Sequence, residues 1–259
     1  MGLKNIVKKW YNRAYSRPLS ETSQLTKIKD TIDLGLVLNN VRRKMLLLDA
    51  GCGVGRISIP CAKAGAKVIG IDISKKAISI AHERSKTNMS NCHFLVADAE
   101  FLPFRDNHFD LILFMGTLEY VSNPGRIFKE SYMILKSDGN ILFNVWNKHG
   151  YDFISLITLK IVNIFRKYKR TKDSFPLYMY SVREIREKLY HSKFKSNIKG
   201  YLFLTKFLVL RPLSYMLNRS RYLLHFFIRL ERLISSSFLG PYVSSNQIII
   251  GRKINSMTK

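Results

Sequence analysis

Acidic residues are scarce in this chain. Eighteen Asp and Glu stand against 43 Lys and Arg in 259 residues, a formal net charge of +25. The shortage is deepest in residues 151–259, where 5 acids face 21 bases, against 13 and 22 in residues 1–150. Such a surface repels cationic partners and attracts polyanions or an anionic lipid surface in a salt-dependent way. Cysteine is also rare: Cys52, Cys61 and Cys92 show neither metal-ligand nor disulfide-framework spacing. That excludes a zinc module and a disulfide-stapled scaffold and fits free thiols in a reducing compartment. The expected location is cytoplasmic, peripheral at an inner membrane face. Long apolar runs are missing too. The stretch Leu233 to Gly251 is broken by serines, Gly240 and Pro241, and the runs YLFLTKFLVL and YLLHFFIRL are interrupted by Lys206 and Arg229. None reaches the roughly 20 apolar residues of a spanning helix, so a membrane contact would lie on the surface. The opening MGLKNIVKKWYNRAYSR lacks the continuous apolar core of a secretory leader, and Ile6 stands where a myristoylation signal wants Ser or Thr. It is expected to belong to the folded protein.

Internal repeats and low-complexity tracts are absent. From Met45 onward, short apolar runs alternate with helix-period segments, the pattern of a parallel sheet with crossover helices. Strands are expected at 45–49, 67–72, 92–97, 109–114 and 140–145, and two later ones at 197–207 and 245–253, seven in all. Helices are expected at 56–64, at 74–87 with Ser74 as N-cap, and at 124–135 with Pro124 in its first turn and KSDG ending it. The organisation expected is an N-terminal helical cap over 1–40 and one α/β domain over 41–259, with helical insertions at about 150–190 and 210–240. Within those insertions, 152–169 and 212–236 read as basic amphipathic helices.

The chemistry concentrates in LLLDAGCGVGRISIPCAKAGAKVIGIDIS, residues 46–74. Gly51, Gly53 and Gly55 follow a strand and open a helix, which lets the chain turn sharply and brings backbone against a ligand. An acid closes each of the two apolar runs, Asp49 and Asp72. A dinucleotide site uses a related G-x-G-x-x-G loop, but here Arg56 stands where that pattern has its last glycine. Downstream come VADAEFLPF (96–104), FDLILFMGTLEYV (109–121) and LKSDGNILF (135–143). These blocks, in this order with LDAGCGVG and VIGIDIS, resemble the class I S-adenosylmethionine-dependent methyltransferases, in particular the branch that methylates small molecules and lipids. The resemblance covers roughly Leu46 to Trp146.

The resemblance implies a Rossmann-like, doubly wound, seven-stranded α/β sheet, with the helical insertions over an acceptor site, and S-adenosylmethionine as cofactor. It implies that Asp49, Gly51, Gly53 and Gly55 bind the cofactor, Asp49 with the backbone of Gly51 and Gly53 holding the methionine end; Gly55 also reads as allowing close helix packing. Asp72 would accept the ribose hydroxyls, Ile73 would pack on adenine, Asp98 and Ala99 would meet the adenine edge, and Met115 and Gly116 would line the cofactor near its sulfonium. Asp110 reads as a loop brace and Cys52 as a small buried filler.

Catalysis is thinly marked. Methyl transfer from a sulfonium needs alignment and exclusion of water more than a dedicated base. Relatives carry Leu-Glu-His where this chain has Leu118, Glu119 and Tyr120, and a phenol is a poorer base than an imidazole near neutral pH. Tyr120 and His149 are the catalytic candidates, and Tyr11 and Tyr15 could close over the cofactor. The expected acceptor is a small or lipid-like molecule of the quinone, lipid or lipid-linked glycan class. RNA methylation and a non-catalytic, cofactor-binding protein of the same fold are the alternatives. Against nucleic acid, the Asn-or-Asp, Pro, Pro, aromatic stretch of base-amino methylation is replaced by MGTL, and no cysteine is placed for cytosine C5 chemistry.

Overall fold

The computed structural model describes residues 8, 9, 12, 24–85, 91–121, 123–149, 178–201, 222, 226, 229, 230, 233, 240–244 and 246–254. Among the described residues eight strands form one sheet: β1 (Leu46–Ala50), β2 (Lys67–Asp72), β3 (Cys92–Val96), β4 (Phe109–Phe114), β5 (Leu135–Asn147), β6 (Met179–Tyr180), β7 (Phe194–Tyr201) and β8 (Asn246–Lys253). Their order is β3-β2-β1-β4-β5-β8-β7, with β6 on β5. Strands β1 to β5 pair in parallel, and β8 runs antiparallel between β5 and β7.

The parallel strands carry near-continuous apolar runs because both faces are covered. Alternate residues divide between two cores. Leu48, Ile112 and Phe143 join Phe128 and Ile185 on one face, and Leu47, Leu111 and Leu142 join Val37 and Ile78 on the other. The helices that cover them are α1 (Gln24–Leu38), α2 (Ser58–Lys63), α3 (Lys75–Ser85), α4 (Pro124–Ile134), α5 (Val182–His191) and α6 (Gly240–Val243). Ser74 caps α3, its Oγ accepting from the Ala77 N–H at 3.1 Å, and Pro124 starts α4 as expected.

Three expectations are corrected. Strand β5 begins at Leu135, not Asn140, because Leu135 pairs with Phe109 and the KSDG residues are carried inside the extended segment. The strand expected at 197–207 starts at Phe194, and 202–207 lie outside the described residues. The stretch 178–191, expected within a helical insertion, instead supplies β6 and α5, with Val182, Ile185 and Leu189 buried in the main core. The helix expected over 152–169 falls outside the described residues, as do Tyr11 and Tyr15.

Strands β2 and β3 lie to one side of β1 and β4 and β5 to the other, so the sheet reverses its winding between β1 and β4. In such sheets the crevice beyond the carboxyl ends at this switch is where ligands bind.

Candidate active site

The loop that leaves β1 is built on positive φ angles, +86° at Gly51, +53° at Gly53 and +76° at Gly55. At Gly51 a Cβ would also drive into the Thr117 side chain, whose Oγ1 donates to the Ala50 carbonyl at 2.9 Å and ties the β4 loop to the end of β1. The loop spends its own donors. The N–H groups of Gly51 and Cys52 go to the Ile71 carbonyl at 2.7 and 2.9 Å, and that of Gly55 to Cys52 at 3.0 Å. The N–H of Gly53 donates to Asp72 Oδ2 at 2.9 Å.

Asp49 lies under this loop, 1% exposed, and accepts from Ser58 Oγ at 2.6 Å. Burial pushes its pKa up to about 6, against the lowering effects of Ser58 and Arg56. Asp72, at the end of β2, takes the Gly53 N–H on one oxygen and the Ser74 N–H at 2.8 Å on the other. Two backbone donors fix the plane of the carboxylate and leave its remaining lone pairs for a diol. Its pKa is also raised, burial outweighing those two bonds. Ile73 beside it is partly exposed. Asn12, from the N-terminal segment, accepts from Ser74 Oγ at 2.5 Å and so sits next to the end of β2. Beyond β3, Asp98 Oδ1 accepts from the Glu100 N–H at 2.9 Å, and Ala99 is partly exposed in the same turn.

Past β4 come buried Met115, Gly116 at φ +75°, and a turn of 3-10 helix over Leu118–Tyr120. Here the structure assembles groups that the sequence did not single out. Glu119 is 8% exposed, and its Oε1 accepts from Trp146 Nε1 at 3.3 Å; burial raises its pKa, with Lys29 opposing. Gly116 N–H donates to Asn144 Oδ1, and Asn144 Nδ2 donates to the Tyr201 hydroxyl, both at 2.6 Å. Burial, followed by the Asp33 carboxylate, raises the Tyr201 pKa. Asp33 is fully buried on α1, paired with Lys29 at 2.8 Å and Arg56 at 3.6 Å. Arg56 also reaches Asp30 at 3.3 Å. The residue after the glycine triplet therefore clamps α1 to the loop.

The structure brings Asp49, Asp72, Met115 and Gly116 to one end of the sheet, around the loop. Tyr120 is half-buried in the 3-10 turn, whereas His149 is exposed, its N–H bonded to Asn147 Oδ1 at 3.2 Å. Asp110 braces β1, β4 and β5, accepting from the Leu46 N–H and Lys136 Nζ at 2.7 Å each. Burial lifts Cys52 well above the ordinary thiol range and Cys61 and Cys92 to about 12. All three are buried thiols, unsuited to act as nucleophiles.

Residues 48–143 match the family model described as a methyltransferase domain. The ubiquinone biosynthesis O-methyltransferase of Pelagibacter ubique is 39% identical over 106 residues, covering 41% of this chain and 44% of that one. The sterol 4-C-methyltransferase of Caenorhabditis elegans is 32% identical over 109 residues, covering 40% and 32%. The matches thus span less than half the length of these curated relatives. In fold, the chain is similar to magnesium protoporphyrin IX methyltransferase from Synechocystis with bound SAH, at TM-score 0.62 and 18% identity, covering 97% of this chain and 100% of that one. With the five sequence blocks laid around the switch point of this sheet, residues 48–143 carry a methyltransferase domain, and the chain shares the fold of a class I S-adenosylmethionine-dependent methyltransferase.

Proposed function

We propose that the protein transfers a methyl group from S-adenosylmethionine to a small, apolar, lipid-like acceptor of the quinone, lipid or lipid-linked glycan class. The observation that carries the donor half is the buried negative charge at the strand ends. In a chain of net charge +25, Asp49 and Asp72 stand at the ends of β1 and β2, near enough for the Asp72 charge to act on Asp49, and burial raises the pKa of both. Arg56 offsets only part of the desolvation at Asp49, so a bound cation would be favoured beside it. S-adenosylmethionine, when bound, supplies an electrophilic methyl on a sulfonium and a second positive charge on its ammonium. The residues present fit that group. Asp49 would hold the ammonium beside the loop. Because the N–H groups of Gly51 and Gly53 are engaged within the fold, the loop meets that end through its other backbone atoms. Asp72 is oriented for the ribose diol, Ile73, Asp98 and Ala99 for adenine, and Met115 and Gly116 for the methyl end. The Synechocystis neighbour with bound SAH supports the same donor.

The work left to the chain is alignment and exclusion of water, which convert a bimolecular displacement into a positioned one. Tyr201 and Asn144 anchor Gly116, and the α1 clamp through Arg56 covers the loop. Glu119 would accept the proton, or the hydrogen bond, of the acceptor, the role that a histidine would take at position 120; burial raises its pKa and so makes it a stronger base than an exposed carboxylate. For the acceptor class, the support is the naming of the relatives for ubiquinone and sterol methylation.

Nucleic acid remains the second reading, favoured by the basic surface. Calorimetry with S-adenosylmethionine tests the donor: binding by the wild type and its loss in Asp72→Ala is the expected result. Labelled donor offered with a host lipid extract and, separately, with total RNA then tests the acceptor. Label in the lipid phase supports the proposal, and label in RNA overturns its acceptor half. Donor binding without transfer to either makes the chain a non-catalytic binding protein.

A further inference from the structure

The C-terminal part exposes an apolar stripe. Tyr222, Phe226, Leu230 and Leu233 all have helical backbone and are 89%, 65%, 37% and 69% exposed. Their spacings of four, four and three residues are those of one helix face. Arg229, also exposed, falls on the same face. Single exposed apolar side chains are ordinary on a protein surface, but a contiguous row is not. The segment from 207 to 239 holds five arginines, no lysine and one acid, Glu231. Aliphatic Leu230 and Leu233 offer nothing to a nucleic acid, whose bases stack on aromatic rings and whose backbone reads charge. An anionic bilayer uses all of these groups: aromatic and aliphatic side chains enter the boundary between headgroups and acyl chains, while guanidinium groups meet phosphates. Among the described residues no helix is long and apolar enough to cross a membrane.

We propose that Tyr222, Phe226, Leu230 and Leu233, with Arg229 among them, seat the protein on the surface of an anionic lipid bilayer. This inference stands on exposure, spacing and charge, independently of the methyl-transfer reading, although it would bring the crevice to an acceptor dissolved in lipid.

The test is sedimentation of the full chain with vesicles of phosphatidylcholine plus phosphatidylglycerol, and with phosphatidylcholine alone. Binding to the anionic vesicles, weakened by salt, is expected. The double change Phe226→Ser and Leu230→Ser should weaken it by about a hundred-fold, roughly ten-fold per side chain, and Arg229→Gln by about five-fold. Calorimetry with S-adenosylmethionine on the same variants should show unchanged donor binding, which certifies their fold. No sedimentation, or equal sedimentation of the double variant, overturns the proposal. So does binding to total RNA with vesicles ignored, or a change in oligomeric state caused by the double variant without vesicle binding. Vesicle binding in a protein that fails to bind donor would sink the methyl-transfer reading alone.

Discussion

Asp49 makes the stability of the protein depend on pH, and in the proposed role of holding the donor's ammonium it should make donor affinity depend on pH in the opposite direction. Its folded pKa of about 6 lies above the ordinary 3.8. Below about pH 4 the group is protonated whether the chain is folded or not. Between about 4 and 6 the folded state keeps a proton that the unfolded state has lost, so this group's contribution to stability declines as pH rises through that window. Above it the penalty is complete, on the order of 3 kcal/mol. Asp49→Asn should therefore raise the stability of the donor-free protein at pH 7, by no more than that, in urea denaturation. Donor affinity runs the other way, because an ammonium needs the ionised carboxylate. The Kd for S-adenosylmethionine should weaken as pH falls below about 6, by up to about ten-fold per unit, and the Asn variant should be weak and flat over the same range. As the proposed base, Glu119 should separate binding from turnover. Glu119→Gln is expected to keep the donor Kd and lower kcat by about a hundred-fold or more, whereas Tyr120→Phe should leave kcat within a few-fold.

At the scale of elements, the loop after β1 and the helix α5 differ in how plainly they were written. Gly51 could be read from its place after an apolar run, and the structure adds the reason in space: a positive φ and a Thr117 side chain where a Cβ would go. Gly51→Ala should cost about 1–3 kcal/mol in backbone strain alone, measured by urea denaturation, with donor binding lost beyond what the destabilisation explains. Helix α5 escaped the reading although Ser181 and Glu184 form a capping box, the Ser181 Oγ accepting from the Glu184 N–H at 3.2 Å and Glu184 accepting from the Ser181 N–H at 2.7 Å. The S-x-x-E spacing was the local signal for it. The parallel strands and the carboxylates at their ends were legible because period and turn chemistry are local. The polar assembly around Gly116 was not, since Asn144 and Tyr201 stand 57 residues apart and Asp33 comes from the far side of the loop. No spacing rule links such partners before the strands are laid side by side. Glu119 was within a quoted motif, but its burial and its bond to Trp146 exist only once β4 and β5 are paired.

Taken whole, the chain carries a large excess of basic charge while the carboxylate proposed to meet the donor is buried, and salt should tell the two apart. Ions screen charges that face water over a distance of about 10 Å at 0.1 M salt and about 3 Å at 1 M, but act little on buried groups. The carboxylate that would meet the ammonium is buried, Asp49 at 1% exposure, whereas Arg229 faces outward. Raising salt from about 0.05 to about 0.5 M should then leave the Kd for S-adenosylmethionine within about three-fold while removing most of the vesicle binding. Both can be read on one preparation, by calorimetry and by sedimentation. If the donor were instead held by its carboxylate on the exposed basic surface, its Kd would rise with salt in step with the vesicle affinity, and Asp49→Asn would leave it unchanged. A donor Kd indifferent to salt but sensitive to pH near 6 is the signature of a cation held by buried carboxylates.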